Sequence, residues 1–474
     1  MGGFFGVASK DDCVDDLFYG TDYHCHLGTR RGGLAVRNSN GLTRFIHNIT
    51  NSQFRSKFES DILTMHGTMG IGVISDYEDQ PLIIGSHLGA YAIVTVGVVG
   101  NLQELARQAF GKRTTHFSEM SGGEVNPTEL VATLINQGAT FEEGIRLAQQ
   151  QVKGSCSILL LSDQGIYAAR DRLGRTPVML GQKDGATAVT SESCAFYNLG
   201  YEPVRDLGPG EIVFLNSKEH VQLQPPGEQM QICTFLWVYY GYPASTYEGV
   251  NVEQARYRCG AALARREKVT VDLAAGIPDS GSAHAVGYAN QARIPLARPF
   301  VKYTPTWPRS FMPQDQRVRD LVARMKLIPI REIIAGQRLL FCEDSIVRGT
   351  QLGDTIRRLF DYGAKEVHMR PACPPLLYGC EYLNFSRSRS EMDLAARKAI
   401  VRLEGAQPAD IEPYADPDNN KHAAMVEIIR DQLGLTSLRY QRLDDLVEAV
   451  GLPRQKLCTD CWTRRDGAGC TACD

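Results

Sequence analysis

LLFCEDSIVRGTQL (residues 339–352) decides how the carboxyl-terminal half of the chain folds. It opens with an apolar run typical of a buried strand, and two adjacent carboxylates, Glu343 and Asp344, follow that run. A turn that contains Ser, Arg, Gly and Thr then leads into a helix near Leu352. Because open α/β sheets bind ligands at the carboxyl ends of their strands, we predict a strand–turn–helix unit with a ligand site at the turn.

The residue types in this turn are those of a phosphate site. Backbone N–H groups at a turn and at a helix start attract phosphate, and Gly349 lets the backbone approach a ligand closely. The hydroxyls of Ser345 and Thr350 add further donors. The adjacent carboxylates suit a sugar diol and a Mg²⁺ ion. One ligand with a phosphate, a ribose diol and a metal-bound pyrophosphate would satisfy all of these groups, although an acidic pair alone would also fit an ordinary capped helix.

Composition sets the broad class of the protein. The 474 residues are 43% hydrophobic and 22% charged, with a formal net charge of -3, which gives no reason to expect nucleic-acid or membrane binding. No apolar run reaches the roughly 18–20 residues of a membrane span, and the amino terminus lacks the pattern of a secretory signal. We therefore expect a cytoplasmic protein.

The pattern of apolar residues changes along the chain. Residues 1–230 contain many short β-type stretches, interrupted by helical patterns near 101–110 and 127–152, which predicts a layered α+β domain. From 250 to 370, helices and strands alternate, which indicates a parallel sheet. We predict a second domain over 231–474 whose last hundred residues are helical and rich in cysteine.

The string EDSIVRGT resembles the phosphoribosyl-diphosphate (PRPP) signature of type I phosphoribosyltransferases, and its form is most similar to that of the amidophosphoribosyltransferase family of purine biosynthesis. The resemblance implies an αββα sandwich of the N-terminal-nucleophile type, followed by a type I phosphoribosyltransferase α/β domain. It also implies Mg²⁺-dependent transfer of a phosphoribosyl group from PRPP to ammonia, giving 5-phosphoribosylamine. Further stretches resemble the family in the same order: RDRLGRTPVMLG (170–181), CTFLWVYYGYPAS (233–245), GIPDSGSAHAVGYAN (276–290) and RMKLIPI (324–330).

The resemblance assigns roles to individual residues. Glu343 and Asp344 would bind the ribose hydroxyls and Mg²⁺, while Asp279 and Ser280 would contact the pyrophosphate, Ser280 also as a metal contact. Lys326 would supply positive charge to the pyrophosphate, or would be an ordinary solvated helix lysine. The 5-phosphate would be held by the turn formed by Ser345, Ile346, Val347, Arg348, Gly349 and Thr350.

One departure from the family lies in the loop that closes over PRPP. The family form K-N-R-Y-V-G-R-T-F is KYTPTWPRSF (302–311) here, and Pro305 and Pro308 stiffen it. This departure favours a non-catalytic regulatory paralogue that binds PRPP or nucleotides, whereas the intact acidic pair and phosphate turn favour a working transferase. Transfer to another nucleophile is a third alternative.

A second departure concerns the family's glutaminase centre. The family hydrolyses glutamine with an N-terminal cysteine in an opening of form C-G-V-F-G-I, but this chain begins MGGFFGV and Gly2 takes the place of the nucleophile. Glycine has no side chain that could attack a carbonyl. Cys13 and Cys25 do not lie at the terminus and cannot use an α-amino group as base.

Other positions that face glutamine in the family have also changed. Ser75 replaces the arginine that holds the substrate carboxylate, and Pro127 replaces the aspartate that meets the substrate amine. Val99 replaces the first asparagine of the oxyanion segment, and Leu27 replaces another arginine, although His26 persists. We therefore predict that this domain keeps its fold and does not hydrolyse glutamine.

Part of the family holds a [4Fe–4S] cluster with four cysteines that bridge the domains. Cys233, Cys458 and Cys461 match three of those positions. The fourth ligand would be Cys373 or Cys380, which flank the family position. Four thiolates also suit zinc.

A local metal site is an alternative to the bridging cluster. Cys458-x-x-Cys461 and Cys470-x-x-Cys473 form two C-x-x-C pairs close together, a compact pattern that favours zinc. Free thiols are the third possibility.

The resemblance also implies binding partners. PRPP and ammonia would be the substrates, and purine nucleotides would be inhibitory effectors. Family members assemble as dimers or tetramers, so we expect a homo-oligomer that binds neither nucleic acid nor membranes.

Overall fold

The computed structural model of the chain describes residues 2–111, 117–118, 120–121, 123–303, 327–383 and 390–464. Within these residues, every helix is too short or too polar to cross a membrane. The amino-terminal half contains strands β1 (Gly3–Ser9), β2 (Arg31–Asn38), β3 (Gly41–Asn48), β4 (Met69–Ser75), β5 (Leu82–Ser86), β6 (Gly89–Val99), β7 (Met120–Ser121), β8 (Glu124–Val125), β9 (Gly154–Leu161), β10 (Ile166–Ala169), β11 (Met179–Lys183), β12 (Ala186–Thr190), β13 (Glu202–Asp206), β14 (Ile212–Leu215) and β15 (His220–Gln224). Its helices are α1 (Val14–Asp22), α2 (Phe54–Ile62), α3 (Leu102–Gly111), α4 (Pro127–Ile135), α5 (Phe141–Gln151) and α6 (Cys194–Asn198).

These strands form two stacked antiparallel sheets. One sheet has the order β13-β11-β12-β1-β4-β2-β3 and the other β15-β14-β10-β9-β6-β5. Side chains alternate between the two faces of a strand, so Phe4 enters the core between the sheets with Val73 and Val94. The next residue, Phe5, faces the opposite side and packs against Leu17 of α1. The predicted αββα sandwich is confirmed.

The helical pattern predicted over 127–152 forms two helices instead of one. Asn126 caps α4 by accepting hydrogen bonds from the backbone of its first turn, and the Thr140 hydroxyl caps α5 by accepting one from the Glu143 N–H at 3.2 Å. A Cβ atom on Gly144 would lie 2.1 Å from the Ile135 carbonyl oxygen, so glycine allows the two helices to approach closely. The apolar periodicity continues across this corner, which explains why the pattern read as one helix.

The carboxyl-terminal half contains a parallel sheet of order β19-β22-β23-β24, as predicted. Its helices are α7 (Val252–Arg265), α8 (Ser282–Ala292), α9 (Arg331–Ile334), α10 (Thr350–Asp361), α11 (Ala395–Glu404), α12 (Asn420–Leu433) and α13 (Leu443–Val450). Its strands are β16 (Ile232–Cys233), β17 (Thr246–Tyr247), β18 (Val250–Asn251), β19 (Leu273–Gly276), β20 (Phe300–Lys302), β21 (Leu327–Pro329), β22 (Arg338–Glu343), β23 (Glu366–Pro371), β24 (Ser437–Leu438) and β25 (Leu457–Cys458). Short 3₁₀ segments occur at Glu391–Asp393, Glu412–Tyr414 and Arg454–Lys456.

A π-helix over Leu236–Tyr240 connects the two halves, and the sequence pattern did not predict it. Arg256 of α7 donates hydrogen bonds to the carbonyl groups of Trp237 and Tyr239 at 3.0 and 2.9 Å. The ring of His284 in α8 is hydrogen-bonded to the Val238 carbonyl at 3.2 Å. These bonds satisfy carbonyl groups that an ordinary α-helix would bond internally.

A buried polar contact also joins the halves. Glu192, which follows β12, accepts hydrogen bonds from the hydroxyls of Ser245 and Tyr247. The ring of His26 lies 3.0 Å from the same carboxylate. The boundary between the domains near residue 230 stays a prediction.

Candidate functional site

The acidic pair lies at the carboxyl end of β22, as the sequence predicted. Glu343 and Asp344 are only 8% and 6% exposed. Ser280 Oγ donates a hydrogen bond to Glu343 Oε1 at 3.3 Å, and Ser345 Oγ donates one to Asp344 Oδ1 at 2.5 Å. The structure therefore brings together four residues that the sequence assigned to one site.

Parallel pairing between β19 and β22 positions the loop that contains Asp279 and Ser280 beside the acids. Gly276 pairs with Cys342, so both strands end at the same edge of the sheet. The Ile277 N–H donates to the Cys342 carbonyl at 3.0 Å, and a Cβ on Gly281 would lie 2.2 Å from that carbonyl oxygen. A larger residue at Gly281 would push the loop away from the acidic pair.

Asp279 occupies the exposed tip of the same loop. Its carboxylate lies 2.5 Å from the ammonium group of Lys302, the last residue of β20. Lys302 begins the stretch KYTPTWPRSF (302–311), which the sequence analysis compared with the family's closing loop, and the sequence did not predict this ion pair. Lys326 and residues 304–311 lie outside the described residues.

The turn between β22 and α10 has the backbone shape that the sequence predicted for a phosphate site. Gly349 has a φ of +75° and directly precedes α10. Ile346 is buried, and the Val347 carbonyl accepts a hydrogen bond from the Ala395 N–H at 2.8 Å, so the turn is anchored at its middle. Arg348 is exposed. Of Thr350, only the backbone belongs to the described part, and it begins the helix whose first N–H groups lack helical partners.

Electrostatics set the state of the acidic pair. Burial raises the pKa of Glu343 well above its ordinary value, and the adjacent carboxylate of Asp344 raises it further. In the described part of the chain, neither carboxylate forms an ion pair. Two neighbouring carboxylates without a cation share a proton more readily than they ionise together, and a divalent cation would replace that proton.

The amino-terminal half contains a cavity of about 270 Å³. Four of the positions at which the sequence departs from the family line this cavity: Gly2, Ser75, Val99 and Pro127. Gly2 lies so close to β4 that a Cβ atom would stand 2.4 Å from the Ile74 carbonyl oxygen. A residue with a side chain at this position would require the backbone to move.

The other residues that the sequence analysis compared with the family's glutamine site also have local contacts. Ser75 Oγ donates to the Glu78 carbonyl oxygen at 2.9 Å, so this hydroxyl is engaged within the loop. Leu27 is buried and packs close to Gly3. His26, which the sequence identified as retained, contacts Glu192 between the two halves.

Four cysteines from distant parts of the sequence converge between the halves. Cys233 and Cys458 are directly paired across the parallel strands β16 and β25. A hydrogen bond with Cys380, together with burial, raises the pKa of Cys461. Burial raises the pKa of Cys233, and the thiols of Cys458 and Cys380 raise it further. The guanidinium of Arg175 donates a hydrogen bond to Cys458 Sγ at 3.1 Å.

The two alternatives for the fourth thiol lie in different surroundings. Cys380 lies with the other three, whereas Cys373 is buried near Asp344 and Cys259. Among the residues that the structure describes, no group of three or more Cys, His, Asp or Glu side chains is arranged to hold a metal ion. Cys470 and Cys473, on which the local zinc alternative depends, lie outside the described residues.

Comparison with known proteins gives consistent relatives. A family model described as a glutamine amidotransferase domain matches residues 66–198. The amidophosphoribosyltransferase of Archaeoglobus fulgidus is 31% identical over 372 residues, which cover 78% of this chain and 75% of that protein. The amidophosphoribosyltransferase of Methanocaldococcus jannaschii is 28% identical over 490 residues, covering 98% and 97%. The structure of glutamine PRPP amidotransferase from B. subtilis, complexed with ADP and GMP, has a TM-score of 0.84 at 25% identity and covers 98% of this chain and 96% of its own.

The raised pKa of Glu343 predicts a pH-dependent cost to stability. The pKa of a glutamate in an unfolded chain is about 4.3. Between that pH and the higher pKa of Glu343 in the folded protein, the folded state binds more protons than the unfolded state, so the free energy of unfolding falls as pH rises. We expect Glu343→Gln to raise the melting temperature of the ligand-free protein at pH 8, with a smaller difference at pH 5. Thermal unfolding monitored by circular dichroism would measure this, with the exposed Glu228→Gln as a control that shows no such trend. A variant that is less stable at every pH would contradict the prediction.

The positive φ of Gly349 predicts a second effect. Gly349→Ala should lower the free energy of unfolding by about 1–2 kcal/mol, because a side chain is strained in this conformation. It should also weaken PRPP binding, since the turn would shift. Gly405→Ala is the matched control, because Gly405 has a φ of +77° with no atom within 4 Å of its Cβ position. Urea denaturation should show similar losses for both variants, and calorimetry should show weaker PRPP binding only for Gly349→Ala.

Proposed function

The chain belongs to the amidophosphoribosyltransferase family, and from this premise we propose that it transfers the phosphoribosyl group of PRPP to ammonia in purine biosynthesis. The products would be 5-phosphoribosylamine and pyrophosphate. The observation that carries the proposal is the meeting of the buried pair Glu343 and Asp344 with Ser280 and the Gly349 turn at one edge of the sheet. We also propose that glutamine hydrolysis has been lost, so ammonia would have to come from another source.

The transferase site would bind PRPP through its 5-phosphate, its ribose hydroxyls and its pyrophosphate. The N–H groups of the turn before α10 would bind the 5-phosphate, which the helix start favours electrostatically. Glu343 and Asp344 would accept hydrogen bonds from the ribose hydroxyls and lie beside Mg²⁺, with Ser280 near the metal. Their buried carboxylate oxygens are the type of ligand that a hard cation prefers. When bound, Mg²⁺ would neutralise charge on the departing pyrophosphate.

Transfer requires a new bond at the anomeric carbon. The nitrogen of ammonia would attack that carbon as the bond to the pyrophosphate oxygen breaks, and the bonding electrons would leave with the pyrophosphate. The nitrogen would then release one proton to solvent, which leaves the neutral amine. Lys302 would stabilise the leaving group from the loop side, because its ammonium group already lies beside Asp279. Lys326 stays a second candidate for this role.

Two features of the amino-terminal half support the loss of glutamine hydrolysis. The backbone at Gly2 is pressed against β4, where a side-chain nucleophile would collide with the Ile74 carbonyl. Ser75 takes the place of the cation expected for the substrate carboxylate, and its hydroxyl is already bonded to Glu78.

We further propose that Cys233, Cys380, Cys458 and Cys461 hold a [4Fe–4S] cluster or a zinc ion. The four thiols lie near one another and come from segments on both sides of the junction, and cysteine thiolates are the donors that such a centre takes. Bound there, the metal centre would cross-link the two halves. Arg175 would offset part of the negative charge of the thiolates.

The remaining proposals concern the protein's setting. We propose a cytoplasmic location, assembly into a homo-oligomer and inhibition by purine nucleotides, because members of the family have these properties. The B. subtilis relative was solved with ADP and GMP, which supports testing those two nucleotides first.

Pyrophosphate release tests the main proposal. Purified protein with PRPP and Mg²⁺ should release pyrophosphate with ammonium, whereas glutamine should support little or none. Glu343→Gln should abolish release with ammonium, because the ribose and metal contacts are lost, whereas the exposed Glu228→Gln should leave it unchanged. Equal rates with glutamine would contradict the loss of hydrolysis. Tight PRPP binding without release would instead support the regulatory alternative, and release only with another amine would support a different nucleophile.

The choice between the two candidate thiols predicts a difference in metal content. Cys380→Ser should lower bound iron or zinc strongly, because Cys380 lies with the other three thiols, whereas the matched Cys373→Ser should retain it. Metal analysis and the visible absorption of protein purified without oxygen would measure this. Retention in Cys380→Ser with loss in Cys373→Ser would reverse the assignment.

A further inference from the structure

The cavity in the amino-terminal half has walls from three directions. Strand β4 and the loop after it provide Ser75, and strand β6 provides the opposite wall around Gly97. Leu383, from the carboxyl-terminal half, closes one side, and its N–H donates to Cys380 Sγ at 3.4 Å. The cavity of about 270 Å³ is large enough for a molecule with roughly the number of atoms in an amino acid.

The charged side chains among the described lining residues of this cavity are all acidic. Three carboxylates, those of Asp76, Glu78 and Glu124, belong to lining residues. Among the lining residues that the structure describes there is no Lys, Arg or His. A free amino acid brings a carboxylate as well as an amine, and the carboxylate would enter a cavity with no side-chain cation to receive it.

The contacts of the three carboxylates differ. Asp76 accepts hydrogen bonds from the N–H and hydroxyl of Thr29 at 2.9 and 3.2 Å. Glu78 has only the Ser75 hydroxyl, at 3.3 Å, as a side-chain partner in the described structure. Burial raises the pKa of Glu78 and Asp76 adds to the rise, although the Ser75 hydrogen bond and the positive amino terminus oppose it. A ligand cation near Glu78 would remove part of the cost of burying this carboxylate.

The remaining walls are apolar and would suit a short methylene chain. They are formed by Val96, Val98, Val99, Leu102, Val125, Pro127 and Leu383. The lining of the cavity therefore combines acidic residues with an aliphatic surface. An aliphatic amine without a carboxylate matches both parts.

We propose that this cavity is a binding site for a small aliphatic amine that carries a positive charge and no carboxylate. Glu78 and Glu124 would contact the cation, and the valine-rich wall would cover its carbon chain. The proposal rests on the loss of glutamine hydrolysis proposed above and names what the altered cavity accepts instead.

Three probes of matched length test the charge requirement directly on the unaltered full-length protein. 4-Aminobutanamide is glutamine without its carboxylate, and glutaramate is glutamine without its amine. By isothermal titration calorimetry, 4-aminobutanamide should bind at least roughly tenfold more tightly than glutamine, and glutaramate should not bind. Binding of glutamine or glutaramate as tight as that of 4-aminobutanamide would overturn the proposal, and so would the absence of binding by all three.

Variants then test the assigned contacts. Glu78→Gln and, separately, Glu124→Gln should each weaken 4-aminobutanamide binding by roughly fivefold to tenfold. Asp163→Asn is the matched control, because Asp163 is exposed in the same half and does not line the cavity. Unchanged affinity in both glutamate variants would overturn the assignment. The comparison of probes uses the natural chain, so it stays decisive if one variant does not fold.

A parallel assay separates the two proposals. Ammonia release from glutamine is measured on the same protein samples. Hydrolysis would refute the proposed loss of glutaminase activity, whereas no hydrolysis together with no amine binding would refute only the amine site.

Discussion

The candidate transferase site depends on a close backbone contact between two parallel strands. Gly276 pairs with Cys342, and the turn that ends at Gly281 lies directly against the Cys342 carbonyl. Because this contact leaves no space for a Cβ atom, the loop that carries Ser280 is held against the strand that carries Glu343. Ser280 and Glu343, which are more than sixty positions apart in the sequence, thus lie in one site because the two backbones are in contact.

Much of this site could be predicted because its signal is local. The order strand, two acids, glycine turn and helix is contiguous in the sequence, and each step has a direct physical cause in burial, charge or backbone freedom. The αββα sandwich was equally accessible, because alternation such as Phe4 inward and Phe5 outward follows from strand geometry.

Other features depend on contacts between distant residues and could not be predicted. Cys373 and Cys380 are both near the expected position in sequence, but only the path of the chain between the halves shows that Cys380 lies with the other thiols. The pairing of Lys302 with Asp279 and the corner between α4 and α5 have the same origin. In the corner, a single hydroxyl cap at Thr140 outweighs continuous apolar periodicity.

The amino-terminal half keeps the predicted fold although several residues at its cavity differ from the family pattern. Its stability comes from apolar residues between and outside the sheets, and neither Gly2 nor Ser75 belongs to these apolar clusters. Changes at Gly2 and Ser75 can therefore alter what the cavity accepts while the two sheets stay in register.

The π-helix has a mechanical consequence. Its carbonyl groups accept hydrogen bonds from Arg256 of α7 and are hydrogen-bonded to the ring of His284 in α8. Helix α8 directly follows the loop that contains Asp279 and Ser280. One end of the π-helix leads back to Cys233, and the other leads on to Ser245, which is bonded to Glu192. A shift of α8 would therefore move the π-helix, and through its two ends it would act on the segments at Cys233 and at Ser245 together.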